Sequence, residues 1–301
     1  MKRTLWFGIL AILFLMLILQ SQTYAIPAQA SDVEITRKIT VRGTAAMGKT
    51  AKPLKQAATG VLGELLGKGA DKWAIVIGIS DYNGDGNDLE YADDDASDFY
   101  KTLISVYGYS KKKIALLTNE KATRNNIVSA ICSLKESVSS DDEVVFFYSG
   151  HGSRGKANDG DNEIIDEAIV PWECTVQSLI WDGELAEMFS NFATSRIIFI
   201  FDSCYAGGMT DLKARGRIVV MACSESGLSY EFESVQNGQF TYYLVEEGIL
   251  YGKADIWNHD ADGSLCEASD VVVEEAFDYA KANCKYQTPT IVDLFPEDLL
   301  P

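Results

Sequence analysis

The stretch EVVFFYSGHG, residues 143–152, decides how this chain folds. Five consecutive apolar residues, 144–148, are followed by a serine and then by a histidine with a glycine on each side. A second stretch, RIIFIFDSC, residues 196–204, repeats the arrangement, and its apolar run ends in Asp202, Ser203 and Cys204. Short apolar runs closed by glycine or polar residues are typical of buried strands. Reactive side chains directly after two such strands indicate chemistry at the carboxyl ends of strands in a parallel sheet.

The chain on both sides of these stretches alternates strand-like and helix-like segments. Strands are predicted at 73–79, 113–117, 143–148, 168–170, 196–201 and 217–222, and helices at 93–107, 123–138, 184–192, 240–250 and 271–282. Strands that alternate with helices predict an α/β domain with a mainly parallel central sheet flanked by helices.

The composition is that of a globular protein. The 301 residues are 47% hydrophobic and 23% charged, which excludes a disordered or fibrous chain and permits a large core. The net charge of −18 argues against a nucleic-acid partner, because phosphate binding requires basic surface.

The first thirty residues have the features of a secretory signal peptide. Met1, Lys2 and Arg3 form a short basic start, residues 5–19 are an unbroken apolar run, and small residues follow. The run is short for a membrane span, although an uncleaved anchor is the alternative. In both cases the rest of the chain is expected outside the cytoplasm, secreted or at the cell surface, with no membrane contact beyond this segment.

Charge divides the remainder into two parts. Residues 31–72 hold eight Lys or Arg against four Asp or Glu, a net +4, and are predicted to be a basic linker or pro-region with few contacts. Residues 73–301 hold 16 basic against 40 acidic groups, a net −24, and form the predicted domain. A solvated linker is the simpler interpretation, but opposite charges also favour a resting place near an acidic cleft.

The six cysteines do not predict a disulfide framework. They are scattered, a domain of this size needs no covalent cross-links, and no CxxC spacing supports a structural zinc site. A catalytic Cys204 would also have to be a free thiol.

A cysteine–histidine pair is the chemistry that the two loops predict. The chain has only two histidines, and His151 alone lies at a strand end between glycines. A lone histidine is more often structural, but Cys204 lies in a second strand-end loop, 53 residues further on. A thiolate is a strong nucleophile when an imidazole accepts its proton.

These motifs resemble the metacaspase branch of the caspase-like cysteine peptidases (peptidase C14). The likeness extends from Trp73 to Asp293, and further segments that carry it are 73–79, 87–96, 166–171 and 238–241. The resemblance implies the caspase-like fold, a three-layer sandwich. It also implies His151 as general base and acid, Cys204 as nucleophile, and the backbone N–H groups of Gly152 and Cys204 as the oxyanion site. This chemistry requires no cofactor.

The resemblance further implies a pocket for the side chain that precedes the cut. It assigns Asp202, Asp95 and Ser149 to that pocket, so we expect Arg or Lys in the substrate and not Asp. A cysteine often present in the family's pocket is replaced here by Ala92.

Calcium is the one ion that the resemblance implies, as an activator or structural ion. Asp166, Asp182 and Asp211 fall at the matching places, although the family's second acid beside Asp182 is Gly183 here. Independently, alternate oxygen side chains followed by glycine resemble the start of a calcium-binding loop. These are Asn258, Asp260 and Asp262.

The sequence therefore predicts a secreted cysteine endopeptidase that cuts peptides or proteins after Arg or Lys, is calcium-dependent, and processes its own 31–72 segment. Two alternatives stay open. One is a non-catalytic, calcium-stabilised interaction module with the same fold, and the other is a cysteine transpeptidase.

Overall fold

The computed structural model describes residues 30–42, 70–159, 163–255 and 271–296. The predicted signal peptide lies outside the described residues except for Ala30, as do residues 43–69 and the predicted ligands Asn258, Asp260 and Asp262.

A six-stranded sheet forms the centre of the domain. Its strands, in chain order, are β3 (Lys72–Gly78), β4 (Ile114–Thr118), β5 (Glu143–Ser149), β9 (Ile197–Asp202), β10 (Arg217–Met221) and β13 (Thr290–Asp293). Their spatial order is β13-β10-β9-β5-β3-β4, and all neighbours are parallel except the edge strand β13. The predicted mainly parallel sheet is thus confirmed.

Helices cover both faces of this sheet. They are α1 (Ala92–Ser105), α2 (Arg124–Ser137), α3 (Asp182–Phe189) and α4 (Val273–Asn283), together with a helix that begins over Gln239–Thr241 and continues as a π-helix over Tyr242–Leu250. The start of α2 follows from its capping residue, because the side chain of Thr123 accepts the N–H of Asn126 at 3.2 Å.

Strand residues alternate between two cores, as a period of two requires. In β3, Ile75 and Ile77 pack on the face covered by α2 and α3. Ala74 and Val76 pack on the face covered by α1, α4 and the π-helix. Phe147 belongs to the second core, and burying a side chain of this size contributes about 2 kcal/mol. The expected three-layer sandwich is confirmed.

Two small sheets lie at the end of the domain where the reactive loops emerge. The first pairs β1 (Ser31–Thr36), β6 (Gly152–Lys156), β7 (Asp166–Ile169) and β8 (Ile180–Trp181) in that order. The second has the order β12-β11-β2 and is made of β2 (Ile39–Val41), β11 (Tyr230–Phe232) and β12 (Asn237–Gly238).

These sheets differ from expectation in two respects. The sequence predicts no strand within the glycine-rich stretch 149–160 and few contacts for the 31–72 segment. Instead, β1 pairs antiparallel with β6, and β2 pairs parallel with β11. Within the described ranges, no helix combines the length and the apolar character that a membrane span requires.

Candidate active site

The register of two central strands places the two reactive loops side by side. Ser149 of β5 is the direct partner of Asp202 of β9, and the N–H of Gly150 donates to the Asp202 carbonyl at 3.3 Å. A side chain at position 152 would place its Cβ 1.8 Å from the Cys204 carbonyl oxygen, so only glycine permits this approach. The predicted juxtaposition of the two loops is therefore present.

The imidazole of His151 is held in one orientation by backbone and aromatic contacts. Its Nε2 lies 2.5 Å from the carbonyl oxygen of Asn87, and its ring stacks on Tyr82 with centroids 4.3 Å apart. A carbonyl only accepts, so Nε2 carries the proton and Nδ1 of the neutral ring carries the lone pair. No side chain or backbone group within the described residues bonds to that buried Nδ1. Nδ1 is thus the atom available to take a proton.

The thiol of Cys204 is buried beneath the N-terminal segment. Its Sγ lies 3.3 Å from the carbonyl oxygen of Arg37 and accepts the N–H of Ser229 at 3.3 Å. Burial raises the pKa of Cys204 to about 11 and lowers the pKa of His151 to about 4. In this closed arrangement the thiol and the imidazole are therefore both neutral.

The predicted pocket residues converge on one buried cation, Lys38. Its Nζ lies 2.9 Å from Oδ1 of Asp202, 3.3 Å from Oδ2 of Asp95 and 2.8 Å from Oγ of Ser149. The side chains of Lys38 and both aspartates are fully buried. The carboxylates outweigh the desolvation of the ammonium and raise the pKa of Lys38. The assignment of Asp202, Asp95 and Ser149 to one pocket agrees with this geometry.

Several groups that sequence reasoning did not identify hold the two carboxylates in place. Asp202 accepts the hydroxyl of Ser229 at 2.6 Å and the hydroxyl of Thr241 at 2.7 Å. Asp95 accepts the N–H of Gly238 at 2.8 Å. Burial, opposed by Lys38, raises the pKa of Asp95 to about 7. Gly238 and Thr241 lie in one of the motifs that carried the family resemblance, which was the available signal.

A second group of carboxylates shares no residue with the pocket, and we name it the acidic cluster. It comprises Asp159, Asp166, Asp182, Glu163 and Glu167. Ligand oxygens of the first three lie within 4.8 Å of one another, as do those of Glu163, Glu167 and Asp182. The structure thus brings Asp166 and Asp182 together, as predicted, whereas Asp211 belongs to neither set.

Asp159 explains the missing acid beside Asp182. Its Oδ2 accepts the N–H of Gly183 at 3.0 Å, and a Cβ at position 183 would lie 2.8 Å from the Asp159 carboxyl. Asp159 therefore fills the space that a side chain at 183 would occupy. Spacing along the sequence gives no sign of this replacement. Burial, together with the nearby carboxylates of Glu225 and Glu163, raises the pKa of Glu167 to about 8.

A thiol and an imidazole on adjacent strand ends, beside a pocket of two carboxylates, form an arrangement suited to the chemistry of cysteine hydrolases. Comparison with known proteins specifies the class further. Residues 72–213 match the family described as metacaspase, peptidase C14 domain. The segment 72–213 is thus similar to this family of caspase-like cysteine peptidases.

Individual relatives agree with this assignment. The chain is 36% identical over 148 residues to Metacaspase-4 of Arabidopsis thaliana. The alignment covers 46% of this chain and 34% of that protein. The chain is 34% identical over 148 residues to Metacaspase-1 of Schizosaccharomyces pombe, or 46% of this chain and 35% of that protein. The chain thus spans about a third of the length of these curated relatives.

A solved structure supports the fold alone. A protein from Geobacter sulfurreducens superposes with a TM-score of 0.55 at 17% identity, covering 74% of this chain and 92% of that one.

Proposed function

We propose that this protein is a cysteine endopeptidase that cuts peptide bonds after Arg or Lys. The observation that supports this best is the burial of Lys38 between Asp202 and Asp95, with Nζ 2.9 Å and 3.3 Å from their oxygens. Two buried carboxylates require a cation, and the pocket accepts a lysine side chain from this very chain. An Asp side chain would add a third negative charge and be rejected.

The arrangement of the dyad supports a specific order of proton transfers. Nδ1 of His151 takes the thiol proton of Cys204, and the thiolate attacks the scissile carbonyl carbon. The backbone N–H groups of Gly152 and Cys204 stabilise the resulting oxyanion. The imidazolium then gives its proton to the leaving amine, and water, deprotonated by His151, releases the acyl group and restores the thiol. The Asn87 carbonyl keeps Nε2 protonated and the ring in place.

We further propose that calcium binds the acidic cluster. Calcium takes six to eight oxygen ligands, and Asp166, Asp182 and Asp159 offer carboxylate oxygens within 4.8 Å of one another. Asp159 supplies the acid that Gly183 lacks. The ion would act as a structural cation that neutralises these charges. The loop with Asn258, Asp260 and Asp262 is the independent second candidate.

Secretion and self-processing complete the proposal. The basic start and apolar run of residues 1–30 support export. The segment 31–72 contains seven basic residues before Lys72 of the first central strand, each of the type that the pocket accepts. A self-processing cut would follow one of them.

The test is hydrolysis of fluorogenic peptides that end in Arg, Lys or Asp, with calcium and with EDTA. We expect cleavage after Arg and Lys only, and loss of at least 1,000-fold in kcat/KM for Cys204→Ala and His151→Ala, typical of a lost nucleophile or base. Preference for Asp would contradict the pocket, and activity of Cys204→Ala would contradict the mechanism. A calcium-dependent melting shift without any hydrolysis would favour the interaction module, and ligated products would favour the transpeptidase.

A further inference from the structure

Residues 31–41, which we name the strap, cross the candidate active site from one small sheet to the other. On one side of Lys38, β1 pairs with β6, with Thr36 opposite Gly152. On the other side, β2 pairs with β11, with Ile39 opposite Tyr230. The strap covers Cys204, which is only 1% exposed.

Charged side chains fasten both ends of the strap to the domain. In β1, Glu34 pairs with Arg154 at 3.1 Å and Asp32 pairs with Lys156 at 2.7 Å. In β2, the hydroxyl of Thr40 donates to Glu231 at 2.7 Å. The two exposed ion pairs of β1 are individually weak. The strap belongs to the same chain as the domain, so its docking is intramolecular. These contacts and the buried Lys38 together are then enough to hold the strap in place.

The direction of the chain through the site is the decisive observation. Hydrolysis after a residue requires that residue's own carbonyl carbon at the nucleophile, which is the peptide group on its carboxyl side. Here the pocket residue is Lys38, but the carbonyl at Sγ of Cys204 belongs to Arg37, on its amino side. The peptide N–H on the carboxyl side of Lys38, that of Ile39, instead donates to the Ser229 carbonyl at 3.0 Å. The strap therefore runs opposite to the direction that a cut after Lys38 demands.

The bond that does lie at the sulfur is also unsuited to cleavage. A cut after Arg37 would need the guanidinium in the pocket. That side chain instead bonds to the carbonyl oxygens of Gly86, at 3.1 Å, and Asp88. Lys38 already occupies the pocket.

We infer that the strap is a built-in inhibitor that docks in reverse and is not cut while docked. The inference rests on the proposed endopeptidase function and adds its regulation: substrates enter only after the strap has left. A self-processing cut would then fall outside the strap or in the strap of another molecule, and not at Lys38 of the docked chain.

The first experiment compares Lys38→Glu with the parent chain on an Arg- or Lys-terminated peptide. Glutamate faces two carboxylates and should expel the strap, so we expect kcat/KM to rise at least tenfold. Lys112→Glu, the same charge change at an exposed residue, should behave as the parent. Ile39→Pro, which removes the N–H that Ser229 accepts while keeping Lys38, is the second variant, and we expect it to activate as well.

The second experiment tests direction. Mass spectrometry of the parent chain after incubation with calcium should find the bonds after Arg37 and Lys38 intact. A free peptide of residues 31–42, able to bind in either direction, should be cut after Lys38 by the Lys38→Glu enzyme. Concentration-independent cleavage at either bond in the parent chain, or survival of the free peptide, would overturn the reverse docking.

The outcomes separate the two proposals. If Lys38→Glu and Ile39→Pro are folded, as judged by melting temperature, and hydrolyse Arg peptides no faster than the parent, then the strap does not inhibit. If no variant hydrolyses any Arg or Lys peptide, the proposed function itself fails.

Discussion

The candidate pocket and the acidic cluster are both groups of carboxylates, but they differ in the charges that surround them. In the pocket, Asp202 and Asp95 face Lys38, whose Nζ lies within 3.3 Å of both. In the acidic cluster, Glu167 has the carboxylates of Glu225 and Glu163 nearby, and its pKa rises to about 8. The difference is that a cation of the same chain lies between the pocket carboxylates, whereas carboxylates that lie close together in the acidic cluster help to raise the pKa of Glu167 and form the proposed calcium site.

Removing a pocket charge should produce the largest effect. We expect Asp202→Asn to lower kcat/KM for Arg peptides at least 100-fold, since losing a buried charged partner costs about 3 kcal/mol. The measurement is best made in a Lys38→Ala background, where release of the strap cannot offset the loss. Asp94→Asn, at the exposed neighbour of Asp95 on α1, is the matched control and should stay within twofold. Equal losses in both variants would mean that the overall charge of the domain matters, and not the pocket.

Calcium addition should separate the two sites by stability. At about 100 times its Kd, an ion that binds only the native state stabilises it by about 2.7 kcal/mol, a rise in Tm of several degrees. We expect this rise with calcium and not with magnesium, and its loss in Asp182→Asn. Asp141→Asn, at an exposed acid, should keep it.

The Asp260→Asn, Asp262→Asn double variant shows which loop binds the ion. A calcium shift retained in Asp182→Asn but lost in the double variant would move the proposed site to the 258–262 loop. The acidic cluster would then not be the calcium site.

The pH dependence of unfolding should show the smallest effect. It tests whether the imidazole of His151 is shielded from water. The pKa of His151 is about 4 in the folded chain and about 6.5 when unfolded, so between these values the unfolded state binds more protons. Its contribution to the free energy of unfolding is full above pH 6.5 and falls as the pH drops toward 4. We expect a loss of about 1 kcal/mol between pH 7 and 5.5 that is absent in His151→Gln. Identical profiles would mean that water reaches the imidazole.

Local patterns predict the central sheet and the dyad because both are encoded in short segments. The bounds of each predicted central strand agree with the structure to within two residues, because an unbroken apolar run has to be buried. Likewise, His151 and Cys204 stand out because reactive side chains directly follow two buried strands. The helix predicted at 184–192 begins earlier, at Asp182, and ends at Phe189.

Contacts between distant segments are what the sequence did not disclose. The strap alternates polar and apolar residues over only six positions and carries no strong strand signal, yet it meets Cys204 across 167 residues. The +4 charge of the whole 31–72 segment predicts an affinity for the acidic domain, but it predicts neither Lys38 as the pocket occupant nor the direction of the strap. Asp159 is a second example, because the fold brings it into contact with Gly183 although no local sequence pattern indicates this.

The strand register that aligns Ser149 with Asp202 also determines where the chain tolerates changes of length. His151 follows Ser149 by two residues, and Cys204 follows Asp202 by two residues. The pairing of Ser149 with Asp202 and these two short segments therefore determine how far the thiol lies from the imidazole. Residues inserted into the connection between β6 and β7 leave that spacing untouched. One residue inserted between Ser149 and His151 would turn the imidazole away from the sulfur, because side chains alternate from position to position in an extended chain. An insertion between Ser149 and His151, or between Asp202 and Cys204, would therefore separate the dyad, whereas an insertion elsewhere between the two strands would not.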